Sequence, residues 1–93
     1  MENVLTFTAV ILREEEVYSA LCIDTDIASD GVTAEEAKNN LLEAVDLYIE
    51  SALENNLPII RPVPASDNPV LSNDPRIVSV FKLHVNLQVR TYA

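Results

Sequence analysis

Acidic side chains are the residues of this sequence with the clearest chemical potential. Asp24, Asp26 and Asp30 lie within seven residues of one another, and carboxylate oxygens at that spacing could bind Mg²⁺ for two-metal phosphodiester hydrolysis. Acids also gather in turns because they hydrogen-bond nearby backbone groups, and a net charge of -9 repels a phosphate backbone. We therefore expect no enzymatic activity and treat these three aspartates as candidate partner-binding residues.

The other residue types that often serve catalysis occur singly. Cys22 is the only cysteine and His84 the only histidine, so neither has the companion ligands that a zinc site needs, and no serine is plainly paired with the histidine. Cys22 lies in an apolar run and is predicted to be a small buried hydrophobe. His84 is predicted to be an exposed strand residue, with a role in an interface left open. No metal or other cofactor is expected.

A second acidic group falls on one side of a predicted helix. Four acids at spacings of three or four residues share that side: Glu43, Asp46, Glu50 and Glu54. Residues at this spacing are neighbours on a helix surface. The opposite arc, which includes Leu42 and Leu53, is apolar enough to pack on a sheet. The acidic side is either a docking surface for a basic partner or a solvated face that keeps the protein soluble. We include these four residues among the candidate partner-binding residues.

The elements that position these acids can be predicted from the pattern of residues. Thr33 can cap the helix and Glu36 completes a capping box, which predicts a helix from about Ala34 to Asn55. Apolar and β-branched runs before it predict three strands. These strands are expected at Val4 to Leu12, Val17 to Ile23 and Ile27 to Ser29.

The C-terminal part is predicted to contain a connection and a last strand. Residues 57–76 contain all five prolines, whose fixed φ and missing N–H donors oppose both a helix and a central strand. Residues 81–90 alternate apolar and polar side chains, which predicts a half-buried last strand, placed at residues 77–90. We therefore expect a single domain over residues 1–93, of the α+β class, with the order β-β-β-α-β. Its mainly antiparallel sheet would carry one helix on one face.

Composition narrows the class of partner. The 93 residues include 15 acids and 6 bases, so direct nucleic-acid binding is disfavoured and a basic protein partner is favoured. A chain of this length buries a limited share of its surface, so a homo-oligomer, either a dimer or a tetramer, is expected. The sequence has no apolar run long enough for a membrane span and no secretory signal, and its single cysteine fits the cytoplasm. No small-molecule substrate is expected.

Four motifs follow one another over residues 5–65. They are the two-strand opening that ends in Ala20-Leu21-Cys22-Ile23-Asp24, the turn and cap Ser29-Asp30-Gly31-Val32-Thr33-Ala34-Glu35-Glu36-Ala37, the helical Leu41-Leu42-Glu43-Ala44, and the segment from Pro58 to Pro64. Together they resemble the HicB antitoxin family. The most specific part is the Gly-x-Thr-x-x-Glu-Ala signature after a hairpin.

The sequence departs from the family pattern at two places. Asp24-Thr25-Asp26 replaces the Pro-Asp-x-x-Gly turn of many members, and the sequence ends in a strand and Thr91-Tyr92-Ala93 where many members carry a DNA-binding domain.

The resemblance implies both a fold and a function. The fold would be a partial RNase H-like domain, here in a short form. The function would be that of an antitoxin in a type II toxin-antitoxin system, which neutralises a small basic HicA-like toxin that cleaves mRNA. It would do so by covering the RNA-binding surface and catalytic histidine of the toxin. The alternative is an orphan oligomeric scaffold or small-ligand-binding module that keeps the fold without a toxin.

Overall fold

The structure, a computed structural model, describes residues 4–86 and contains four strands and one α-helix in that range. The elements are β1 (Val4–Glu14), β2 (Val17–Cys22), β3 (Ile27–Gly31), α1 (Ala34–Glu54), a short 3₁₀ helix (Ala65–Asp67) and β4 (Ile77–Asn86). The strands form one antiparallel sheet in the order β3-β2-β1-β4. The predicted α+β class, with an antiparallel sheet and one helix packed on it, is confirmed.

Strands β1 and β2 form a hairpin that is longer than the apolar run predicts. Arg13 and Glu14 pair with Tyr18 and Val17, so β1 extends past the predicted end at Leu12. Only two residues then form the tip, and Glu15 adopts a left-handed φ of 48° there. This conformation usually favours glycine, so the charged tip carries a small backbone strain.

The helix begins and ends close to the predicted positions. The Thr33 hydroxyl accepts a hydrogen bond from the backbone N–H of Glu36 at 3.0 Å, and the Glu36 carboxylate accepts one from the N–H of Val32 at 3.4 Å. These contacts satisfy N–H groups that the first helical turn leaves without partners. The residues that α1 buries are Ala37, Leu41, Val45, Ile49 and Ala52.

Gly31 allows the helix to begin very close to the end of β3. A Cβ atom added at this position would lie 2.5 Å from the backbone nitrogen of Ala37 and 2.9 Å from the carbonyl carbon of Glu36. Such distances are well inside van der Waals contact, so any larger residue must push the strand and the helix apart. The glycine of the sequence signature therefore has a packing role here.

Both faces of the sheet are buried at its centre. On the helix side, Phe7, Ala9 and Ile11 of β1 belong to one core cluster with the buried side of α1. On the opposite side, Val10 and Leu12 are also buried but lie outside that cluster. This second face therefore has its own cover, separate from the helix.

The proline-rich connection provides that cover. The Val63 N–H donates to the carbonyl of Ile23 at 2.9 Å, and the Arg13 N–H donates to the carbonyl of Arg76 at 2.9 Å. The connection therefore starts beside the end of β2 and finishes beside the far end of β1. Val63 and Pro69 are buried along it, as expected if their side chains lie over the second face. Residues 87–90 of the predicted last strand lie outside the described residues.

Within residues 4–86, no helix combines the length and the apolar content that crossing a lipid bilayer requires.

Candidate docking surface

One side of α1 carries an acidic stripe, which we define as Glu43, Asp46, Glu50 and Glu54. Glu43 and Glu54 are exposed, and Asp46 and Glu50 are half-buried. The stripe lies opposite the buried side of α1, as the helical spacing predicts. It covers about 16 Å of helix, at 1.5 Å per residue. The helix therefore presents an outward row of carboxylates along half of its length.

Three exposed leucines flank the acidic stripe. Leu47 is 59% exposed, Leu53 42% and Leu42 40%. The apolar arc of the helix predicts that Leu42 and Leu53 face the sheet, and this expectation is wrong. The reason is that the backbone of α1 lies closest to β2 and β3 and farther from β1 and β4. Within residues 4–86, the side of the helix nearest β4 is therefore covered only in part, and Leu42 and Leu53 stay exposed on it.

A groove of about 390 Å³ separates this side of α1 from β4. Its lining residues are Asn39, Leu42, Glu43 and Asp46 on the helix and His84, Val85 and Asn86 on the strand. The groove thus combines an apolar wall with an acidic rim that belongs to the stripe. Polar atoms beside an apolar surface are typical of sites that bind another chain.

A cation–π contact joins the helix to the middle of β4. The Lys38 ammonium lies 4.9 Å from the centre of the Phe81 ring, within the range where a cation is attracted to an aromatic face. Phe81 is only half-buried. This contact lies just before the groove along the helix.

The three aspartates of the first acidic group lie after β2 and on β3, and not on the helix that carries the stripe. The Asp24 carboxylate accepts a hydrogen bond of 2.6 Å from the backbone N–H of Thr8. Asp26 is exposed in the following turn with a left-handed φ of 55°. Asp30 is exposed on β3 opposite Ser19, away from the end of β2 where Asp24 lies. Of the three, Asp24 has a clear structural role.

Metal and nucleophile chemistry find little support in the described part of the chain. Among residues 4–86, no three histidine, cysteine, aspartate or glutamate side chains lie close enough together to hold a metal ion. Cys22 is fully buried, and this burial raises the pKa of its thiol. His84 is exposed, with its Nδ1 atom 3.2 Å from the Thr6 hydroxyl. These two positions agree with those predicted from the sequence.

A cluster of charges at the start of β4 is not among the sequence predictions. The Arg76 guanidinium lies 2.7 Å from a carboxylate oxygen of Asp74 and 2.5 Å from one of Glu14. The side-chain and backbone hydrogen bonds from Arg76 lower the pKa of Asp74 to about 2. The nearest sequence signal is Asp74-Pro75-Arg76, in which proline favours a turn that brings the two charges together. This cluster ties the hairpin to the connection.

Comparison with known proteins gives no match, whether with family models, with curated proteins or with solved structures. The resemblance to HicB antitoxins therefore rests on the motifs of the sequence alone. The geometry of the acidic stripe and its flanking leucines becomes the main basis for a functional proposal.

Proposed function

We propose that this protein is a HicB-like antitoxin that binds a small basic HicA-like ribonuclease and covers its RNA-binding and catalytic surface. The observation that carries the proposal is the acidic stripe on α1 with exposed leucines on both sides. The finer fold assignment, a partial RNase H-like domain, belongs to the same proposal. Its supports are the element order and the HicB-like motifs in the sequence.

Electrostatics favour this class of partner. A protein that cleaves mRNA needs lysine and arginine side chains where the phosphates bind. A row of carboxylates along about 16 Å of helix offers those side chains an alternative set of anions. Residues 1–56, which include the stripe, carry a net charge of -11. Association with a basic surface should therefore be fast and should slow as salt is added.

The exposed leucines supply binding affinity, which charge alone does not. Ion pairs at the rim of an interface contribute little affinity because water and salt screen them. Leu42, Leu47 and Leu53 can each lose apolar surface to a partner, and such buried anchors carry most of the binding energy in interfaces. The stripe would then fix orientation and the leucines would supply affinity.

The proposed activity requires binding and no catalysis by this chain. The target of a HicA-like toxin is mRNA, so we also place the protein in the cytoplasm. Asp24, Asp26 and Asp30 stay outside the proposed contact surface, because none of them lies on α1. Of the residues predicted to bind a partner, the four of the stripe are the ones that the proposal uses.

The test is inhibition of a purified HicA-like toxin encoded beside this gene, measured by cleavage of a defined mRNA. The doubly substituted variant Glu43→Gln/Glu54→Gln removes two exposed charges from the stripe. We expect its association with the toxin at low salt to slow about tenfold. Surface plasmon resonance gives the rate, and the cleavage assay gives the loss of inhibition.

The matched control is Glu15→Gln/Glu16→Gln, which removes the same charge from the exposed hairpin tip. It should change the association rate by less than about twofold, since these residues lie away from the stripe. Equal effects of the two variants would reject the stripe as the docking surface. A wild-type protein that leaves toxin cleavage unchanged would reject the antitoxin function.

A second candidate function is an oligomeric scaffold without a toxin. The observation in its favour is an open sheet edge at β4, where Val78 and Val80 are each 51% exposed. A protein that self-associates through β4 and binds no toxin would support this second function.

A further inference from the structure

Strand β4 is an open edge of the sheet within the described residues. It is ten residues long and is hydrogen-bonded to β1 on one side only. Val78 and Val80 are each 51% exposed. A long edge strand with exposed apolar residues is a template for pairing with another strand.

Few of the features that usually protect an edge are present along β4. The strand has no proline and a single lysine, Lys82. Its one irregularity is a register shift opposite Ile11 and Leu12, near its start. From Ser79 to Asn86 the pairing with β1 is continuous. Eight consecutive residues are therefore regular enough to receive another strand.

Charge identifies the kind of strand that fits this edge. β4 contains no acidic residue, although the whole chain has a net charge of -9. Two copies of so acidic a protein repel each other over most of their surface, and β4 is a place where they can approach. A basic partner would instead be attracted to the acidic stripe and repelled by Lys82. The edge therefore suits a second copy of this chain better than it suits a basic protein.

We propose that two copies of this protein pair through β4 in antiparallel fashion and form a continuous eight-stranded sheet. A two-fold axis perpendicular to the sheet produces this arrangement and keeps both helices on the same face. The groove between α1 and β4 gives room for the helix-side side chains of the added strand. The backbone groups of the edge gain hydrogen-bond partners, and the exposed valines become covered.

The middle of the strand sets the register. With Phe81 of each copy at the axis, Lys82 lies opposite Val80 of the second copy, so the two lysines do not face each other. Like charges directly opposite in a sheet are destabilising, and a lysine stem packs well against valine. This pairing does not depend on the antitoxin proposal.

The test compares two substitutions at one position by sedimentation velocity over a wide range of protein concentration. Val80→Lys places an ammonium group opposite Lys82 of the second copy, and Val80→Glu places a carboxylate there. We expect the wild type to reach twice its monomer mass of 10.3 kDa. Val80→Lys should weaken the dimer at least about tenfold, and Val80→Glu should dimerise more tightly than Val80→Lys.

The matched control is Val17→Lys, because Val17 is a similarly exposed valine, at 43%, on β2. It should leave the dimer unchanged, and circular dichroism should show that all variants keep the fold.

A wild type that stays monomeric overturns the proposal, as does a control that weakens the dimer as much as Val80→Lys. Equal weakening by lysine and glutamate overturns the register. If the wild type is monomeric but Val80→Lys weakens toxin binding, the edge belongs to the toxin and the proposal is overturned.

Discussion

The two outer strands of the sheet differ in how their edges are closed. β3 has five residues, and Gly31 holds its end against the first turn of α1. The Asn40 amide donates a 2.9 Å hydrogen bond to the carbonyl of Asp30, which gives an edge carbonyl a partner. β4 has ten residues, and Val78 and Val80 are half exposed. Within residues 4–86, the edge formed by β3 is closed by the helix, and the edge formed by β4 is open.

The first part of β1, before Ala9, has no β2 residue paired with it, but a side chain takes the place of that pairing. β1 pairs with β2 only from Ala9 to Glu14. Thr8 lies just beyond, and its N–H donates to the Asp24 carboxylate at 2.6 Å. A polar side chain beside a strand can thus form the backbone hydrogen bond that a neighbouring strand would otherwise provide. On β4, Val78 and Val80 are half exposed instead, and an exposed apolar edge of this kind is a template for another chain.

Breaking the closed edge at Gly31 should have the largest effect. Gly31→Ala places a methyl group against the backbone of α1, and overpacking of this kind should lower the free energy of unfolding by about 3 kcal/mol. Urea unfolding followed by circular dichroism measures the change. Ala28→Val, at an exposed position on the same strand, should change it by less than about 0.5 kcal/mol. Similar stability of Gly31→Ala and the wild type would contradict the close packing.

Removing the Asp24 carboxylate should have a smaller effect. Asp24→Ala leaves the partly buried N–H of Thr8 without its acceptor, which should cost about 2 kcal/mol in urea unfolding. Asp30→Ala removes an exposed carboxylate of the same type and serves as the control. If Asp24→Ala keeps full stability but loses partner binding, the residue contacts a partner and the structural role is wrong.

The smallest expected effect is a dependence of stability on pH that comes from Asp74, just before β4. Hydrogen bonds from Arg76 lower the pKa of Asp74 from 3.8 to about 2. A lowered carboxylate pKa means that its stabilising contribution is complete above pH 3.8 and is lost as the pH falls towards 2. NMR titration of the Asp74 carboxyl carbon should show this value, and Arg76→Gln should move the pKa back towards 3.8. An Asp74 pKa near 3.8 in the wild type would contradict the contact.

Local signals in the sequence predict much of the fold. Thr33 and Glu36 locate the start of α1 correctly, because a capping box depends on neighbouring residues only. The ends of β1 and β3 are predicted too early, at Leu12 and Ser29. Charged residues and glycine continue these strands through backbone pairing, which apolar runs do not reveal.

The candidate surfaces are predicted less completely. The acidic stripe follows from helical spacing and is found on the outer side of α1. The exposure of Leu42 and Leu53 is missed, because periodicity cannot tell how far the sheet extends beneath a helix. The sequence also does not reveal that β4 forms an edge of the sheet. Strand order depends on contacts between residues far apart in the chain, such as Thr8 with Lys82.

The contrast between the two edges can be measured directly by amide hydrogen exchange at low and high protein concentration. If β4 pairs with a second copy, the edge amides of β4 should exchange more slowly at high concentration, and those of β3 should exchange equally at both. Val80→Lys should remove the concentration dependence. Exchange of the β4 amides that is the same at all concentrations would contradict the account, because it would show that the open edge has no partner of its own kind.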